Sequence, residues 1–175
     1  MKVLLTLEDS LIAKCRFLIP KMTEINQTVN IYFDSPKTFD SGNILSLNGI
    51  TGLYFIFTSS IHIQYPFDIS KLLYIGMSEK RTNSIGSRLN GHFGGKSKNV
   101  GLVNYRQVEP LWFTYINYEM LKSIWAYRVE DLESYFILNF VQHFGVYPIC
   151  NNKTGLDIMS NTIATHFKID WDYFK

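Results

Sequence analysis

Cysteine is scarce in this sequence. Cys15 and Cys150 are the two among 175 residues, they stand far apart, and neither belongs to a CxxC pair. That argues against a disulfide framework and against a structural zinc site built on paired thiolates. Charge of one sign is scarce as well: 17 Lys and Arg face 15 Asp and Glu, a formal net charge of +2. A strongly basic balance would point to nucleic acid by itself. This balance only permits it, so any phosphate-binding surface has to come from local clustering. Long apolar runs are also missing. No stretch approaches the ~18 apolar residues of a membrane span. The apolar start is followed at once by Glu8 and Asp9, which is too short for a signal-peptide core. These absences point to a reducing cytoplasm.

What is present is core material. Hydrophobic residues make up 46% and charged residues 18%, which speaks against disorder. The length suits one domain with extensions. Residues 1–47 read as an N-terminal extension, in which Leu11, Ile12, Cys15, Leu18 and Ile19 recur at helical spacing before Pro20. Aromatic and β-branched runs predict strands over 50–58, 71–77 and 111–117, the first two pairing antiparallel. Helical patterns cover 84–93, ending at Gly94-Gly95, and 119–143, broken near Arg128 and stopped by Gly145 and Pro148. The tail over 156–175 reads as a further helix. No repeat or low-complexity tract appears. Two strands, a helix, a third strand and more helices give an α+β layer fold, a small three-stranded antiparallel sheet flanked by helices.

Several polar residues stand where apolar ones are expected. Glu133 shares a helical face with Phe136, Ile137, Phe140 and Phe144. Burying that carboxylate unpaired would cost several kcal/mol. It needs a metal, hydrogen-bond donors or a cation, and the ordinary reading is a pair with Arg128 or a lysine. Arg88 and His92 stand four apart on a short helix and project from one face. A guanidinium grips two phosphate oxygens at once, and an imidazole can move a proton near neutrality; taken alone, both are ordinary surface residues. Tyr54 and Tyr74 lie in apolar strands, each two residues from a glycine, Tyr54 on a face with Ile56 and Tyr74 on a face with Leu72 and Gly76. Gly52 and Gly76 mark close backbone approach or a ligand. Lys80, Arg81, Arg88, Lys96 and Lys98 place five positive charges within 19 residues. Gly91 to Ser97 imitates the end of a P-loop, but Gly91 leaves three residues before Gly95-Lys96 where the motif requires four, and the segment follows a helix rather than a strand.

Taken in order, Gly52-Leu53-Tyr54, Tyr74-Ile75-Gly76, Arg88 with His92, Glu133 and Pro148-Ile149-Cys150-Asn151 resemble the GIY-YIG nuclease superfamily over about 100 of the 175 residues. The sequence departs from that pattern at Leu53, at Met77 where many members have lysine, and in the long connection from Tyr54 to Tyr74; Asn152 adjoins Asn151. The resemblance implies a nuclease domain over 48–152 with a C-terminal extension over 153–175, and hydrolysis of DNA phosphodiesters to 5′-phosphate and 3′-hydroxyl ends. It implies one divalent ion, Mg²⁺ or Mn²⁺, on Glu133. Arg88 would hold the scissile phosphate, Tyr54 would lie by the attacking water, Tyr74 would support that water or a phosphate oxygen, and Asn151 would orient Glu133 or the metal shell. His92 is the alternative general base or a proton relay. Lys80, Arg81, Lys96 and Lys98 are the candidate DNA contacts. A stand-alone restriction or phage-defence enzyme is the nearest type. Such cutters often dimerise to cut both strands, so a homodimer is one expectation, although the sequence marks no interface for it. The rival readings are a nucleic-acid-binding module on the same scaffold and a plain interaction protein.

Overall fold

In a computed structural model of the chain, residues 27–153 and 165–175 are described. The helical spacing of Leu11 to Ile19 and the tail over 154–164 lie outside them. The strands are β1 (Gln27–Ile31), β2 (Lys37–Thr38), β3 (Gly52–Thr58), β4 (Ile63–Gln64), β5 (Ile69–Ser70), β6 (Leu72–Ser78), β7 (Leu111–Asn117) and β8 (Thr165–Ile169). The α-helices are α1 (Ser41–Leu45), α2 (Ile85–Phe93), α3 (Val100–Val108), α4 (Tyr118–Leu121) and α5 (Val129–Phe144). No described helix is long and apolar enough to cross a membrane.

The protein is mixed α+β, and its main sheet has four strands rather than three, in the order β2-β7-β3-β6, antiparallel throughout. The added strand is the two-residue β2, which pairs Lys37 and Thr38 with Phe113 and Trp112 at the free edge of β7. So short an edge strand carries little periodicity of its own. Central β3 is buried along its whole length. Leu53, Phe55 and Phe57 enter one core with Phe136, Phe140, Trp171 and Phe174. Tyr54 and Ile56 enter another with Ile44, Ile85, Leu89 and Phe113. The sheet is therefore the middle of three layers, with α5 and the C-terminal residues on one face and α1 to α3 on the other.

The tail departs from the helical expectation. Residues 165–169 form a strand parallel to β1, followed by a 3-10 turn over Trp171–Phe174. Thr165, Phe167 and Ile169 are buried while Lys168 is exposed, a period of two that a strand satisfies and a helix does not. The long helix starts after Arg128 and ends at Gly145, as its stop signals predict.

β6 carries the irregularity that matters most. Ile56 pairs with Tyr74 and Phe57 with Leu72, so Leu73 is an extra residue in the ladder, a β-bulge. Leu72 packs in the α5-side core and Leu73 in the α2-side core, where Tyr74 packs too. Tyr74 thus does not share a face with Leu72, because the bulge resets the alternation between them. One step further, Gly76 lies opposite Tyr54, whose ring crosses the strand; a Cβ there would stand 2.4 Å from the phenol oxygen. Gly76→Ala should lower stability by about 1–3 kcal/mol through this overpacking, measured by urea denaturation. Gly91→Ala is the control, having open space at its Cβ. Equal losses in the two variants would remove the steric account of Gly76.

Candidate active site

A cavity of about 460 Å³ has Tyr74, Arg88, His92, Lys96, Glu133 and Asn151 in its wall. It lies at β6, on which α2 packs from one face of the sheet and α5 from the other. Residues separated by up to 79 positions in the chain, Tyr74 to Lys153, therefore share one polar hollow.

Tyr54 is the exception. It is wholly buried and is not part of the cavity wall. The sequence expectation placed it beside an attacking water. The structure places it behind the wall, because the absence of a side chain at Gly76 lets its ring lie across β6. Its hydroxyl meets His92 Nε2 at 3.1 Å, and the charge of the neighbouring Arg88 acts on it. The phenol exposed to the cavity is Tyr74, whose ring stands 4.9 Å from the imidazole and 6.0 Å from the Tyr54 ring. Burial pushes both phenols above their ordinary range, most strongly Tyr54. Their proximity adds to the rise at Tyr54, and the Glu133 carboxylate to the rise at Tyr74. Arg88 opposes the rise at both.

Arg88 and His92 sit on α2, whose N-terminus is capped by Ser84 accepting from the Ser87 N–H at 3.3 Å. The neighbouring Tyr54 holds the guanidinium firmly in its charged form. His92 is pushed down to about 4, first by burial and then by Arg88, so the imidazole is neutral at physiological pH. Nδ1 is the one buried side-chain nitrogen or oxygen without a hydrogen-bond partner among the described residues. With Nε2 engaged and Nδ1 enclosed, His92 is placed to exchange protons with Tyr54 rather than with a water in the cavity.

Glu133 enters from the first half of α5, its side chain 10% exposed, with Lys153 Nζ at 3.1 Å from Oε2. Arg128, one of the partners the sequence offered for it, pairs with Asp131 and Glu130 instead. Asn151 does not orient Glu133. Its amide oxygen accepts from the Ile75 N–H at 2.9 Å and its amide nitrogen donates to the Ile75 carbonyl at 2.8 Å. The side chain thus occupies the place of a neighbouring strand along the edge of β6. Asn152 is exposed and also lines the cavity. Of the basic candidates, Lys96 lines the cavity, while Lys80, Arg81 and Lys98 are exposed and stand outside its wall. Lys153 was not singled out by the sequence, which holds no periodic or motif signal for it. Met77 is packed against the core, so no lysine-like charge comes from that position. The Cys150 thiol is pushed up to about 12 by burial and is no nucleophile.

Among the described residues the wall contains one carboxylate, and no group of three or more His, Cys, Asp and Glu converges on a point. That donor set does not build a zinc cage. It fits a hard divalent cation that takes one carboxylate and completes its shell with water and substrate oxygens. No protein-family model, curated protein or solved structure matches the chain.

Two outcomes test this geometry. Asn151→Leu removes both bonds to Ile75 and should cost about 1–3 kcal/mol, whereas Asn152→Ala should be near neutral; equal effects in urea denaturation would refute the edge-pinning role. For His92 the pH dependence has a definite sign. Above 6.5 the group is neutral folded and unfolded. Between 6.5 and about 4 only the unfolded chain takes up the proton, so stability falls as pH drops through that window. The slope is about 1.4 kcal/mol per pH unit, read as wild type minus His92→Gln. A difference that stays flat from pH 4 to 7 would mean a freely titrating imidazole.

Proposed function

We propose that this chain is a metal-dependent DNA endonuclease of the GIY-YIG kind, on that superfamily's sheet-and-helix scaffold, which hydrolyses phosphodiesters to 5′-phosphate and 3′-hydroxyl ends in a restriction or phage-defence role. The observation that carries this reading is the convergence of Tyr74, Arg88, His92 and Glu133, drawn from a strand and two helices, on one polar cavity. Packing alone has no need for a carboxylate beside a guanidinium and two phenols.

The roles follow from the positions. Arg88, open to solvent, grips the scissile phosphate and meets the charge that grows on it in the transition state. Tyr74 is the phenol that meets the attacking water. Tyr54 stands behind it, 3.1 Å from His92 Nε2; as Tyr74 takes the proton of the attacking water it hands its own phenol hydrogen to Tyr54, and Tyr54 hands its hydrogen to the neutral imidazole. A phenol pushed above its ordinary range is a poor base alone, so the neighbouring neutral acceptor is what makes it useful. Glu133 would hold one Mg²⁺ or Mn²⁺, and that ion, when bound, neutralises charge at the phosphate and the departing oxygen. Lys96 contacts the phosphate backbone from the cavity wall, with Lys80, Arg81 and Lys98 outside it.

A second reading, binding without cutting, is favoured by two observations: Met77 supplies no cation, and Lys153 occupies the carboxylate that the ion needs. Incubating supercoiled plasmid and short duplexes with the protein, with and without Mg²⁺ or Mn²⁺, separates the two. Cleavage should require the ion, leave 5′-phosphates by end mapping, and be lost by at least about 10²-fold in Arg88→Ala and in Glu133→Ala, as for other groups that stabilise transition-state charge. Circular dichroism should be unchanged in both variants. Full ion-dependent cleavage by either would sink the assignment of the site.

A further inference from the structure

Among the described residues, the cavity wall holds three cationic side chains, Arg88, Lys96 and Lys153, and one carboxylate, Glu133, and the imidazole beside them is neutral. This is a surrounding that attracts an anion and leaves a divalent cation dependent on the one carboxylate. The carboxylate is also already engaged. Lys153 Nζ stands 3.1 Å from Glu133 Oε2 and 3.9 Å from Glu130 Oε1. The backbone carrying Lys153 is held in place. Asn151 is bonded to Ile75 through both amide atoms, the Cys150 N–H donates to the carbonyl of the bulged Leu73 at 2.9 Å, and Asn99 donates to the Cys150 carbonyl at 2.9 Å. The ammonium is therefore delivered to the carboxylate by the fold, on a flexible four-carbon stem that can also turn away. Glu130, one turn earlier on α5 and 44% exposed in its side chain, offers it a second carboxylate.

We propose that Lys153 is a built-in competitor for the Glu133 carboxylate, so that the protein without DNA binds a divalent cation weakly and does so only by displacing the lysine. The inference rests on the reading of Glu133 as the metal carboxylate, but it concerns a different residue and is separable from it. When Lys153 leaves the carboxylate it remains in the cavity wall, where its charge has a second use toward a phosphate. Met77 supplies no cation, and Lys153 brings one to the cavity wall.

The test is Mn²⁺ binding to the full chain without DNA, followed by calorimetry and by the electron paramagnetic resonance of the free ion. Lys153→Met and Lys153→Gln should each bind Mn²⁺ about tenfold more tightly than the wild type, the gain expected when a group masked about nine-tenths of the time is unmasked. Lys153→Arg, which keeps the charge, should stay near the wild type. Adding Glu133→Gln to Lys153→Met should abolish the gain. Affinity in both neutral variants that is equal to or weaker than the wild type, including no detectable binding, overturns the proposal. If Glu133→Gln alone nonetheless removes binding, Glu133 remains the metal carboxylate and only the competitor role fails. Tight binding that persists in the double variant places the ion elsewhere and removes both readings. Circular dichroism of each variant confirms folding, and either neutral substitution suffices if the other fails to fold.

Discussion

The site depends on how the edge of β6 is closed. An edge strand exposes unpaired N–H and C=O groups, and here one asparagine side chain takes them at Ile75. The bulge at Leu73 supplies the neighbouring anchor by turning its carbonyl to Cys150. Together these bonds fix the turn after α5 against the sheet. They set where Lys153 emerges, and hence what stands opposite Glu133. The same bulge moves Tyr74 to the α2 side, where Arg88 and His92 project. Without the extra residue the alternation would carry Tyr74 toward the aromatic core instead.

Electrostatics build on that frame. Tyr54 is deeply buried, so its hydroxyl needs a partner, and α2 provides His92 Nε2 at 3.1 Å and, one turn earlier, the charge of Arg88. Arg88 keeps its charge because it reaches solvent and a phenol, and it helps to keep His92 neutral. The result is a hollow whose wall, among the described residues, carries three cations and a single carboxylate. That asymmetry underlies both the proposed phosphate chemistry and the proposed competition at Glu133. The two cores play a supporting part. With β3 buried on both faces and aromatic rings packed above and below, the backbone at Tyr54 has little freedom to move away from α2.

Much of this was legible along the chain. The strand cores over 52–58, 72–77 and 111–117 and the helices after Ser84 and Arg128 announce themselves through composition, period and stop signals. The wrong expectations have identifiable causes. The two-residue β2 is too short to carry a pattern. The tail from 165 alternates with period two, but its aromatic residues also suit a helix. Alternation alone puts Tyr74 on the face of Leu72, because a bulge leaves no mark in composition. A tyrosine two residues from a glycine does not reveal on which side of the cavity wall its hydroxyl ends, so the sequence sets Tyr54 at the water. Nothing in the sequence says which backbone a buried amide will meet, so Asn151 reads as a partner of Glu133.

By itself the sequence determined the residue types that can bear the chemistry and the elements that carry them. Those properties are local: they follow from period, capping and β-propensity within a few residues. Only the tertiary structure decided that α2 and α5, on opposite faces of one sheet, bring their polar ends to the same strand, and that Lys153 rather than Arg128 meets Glu133. Such pairings depend on where the chain closes in space. Packing, the bulge and the edge of β6 set that closure, and none of them is encoded in the spacing of the residues they join.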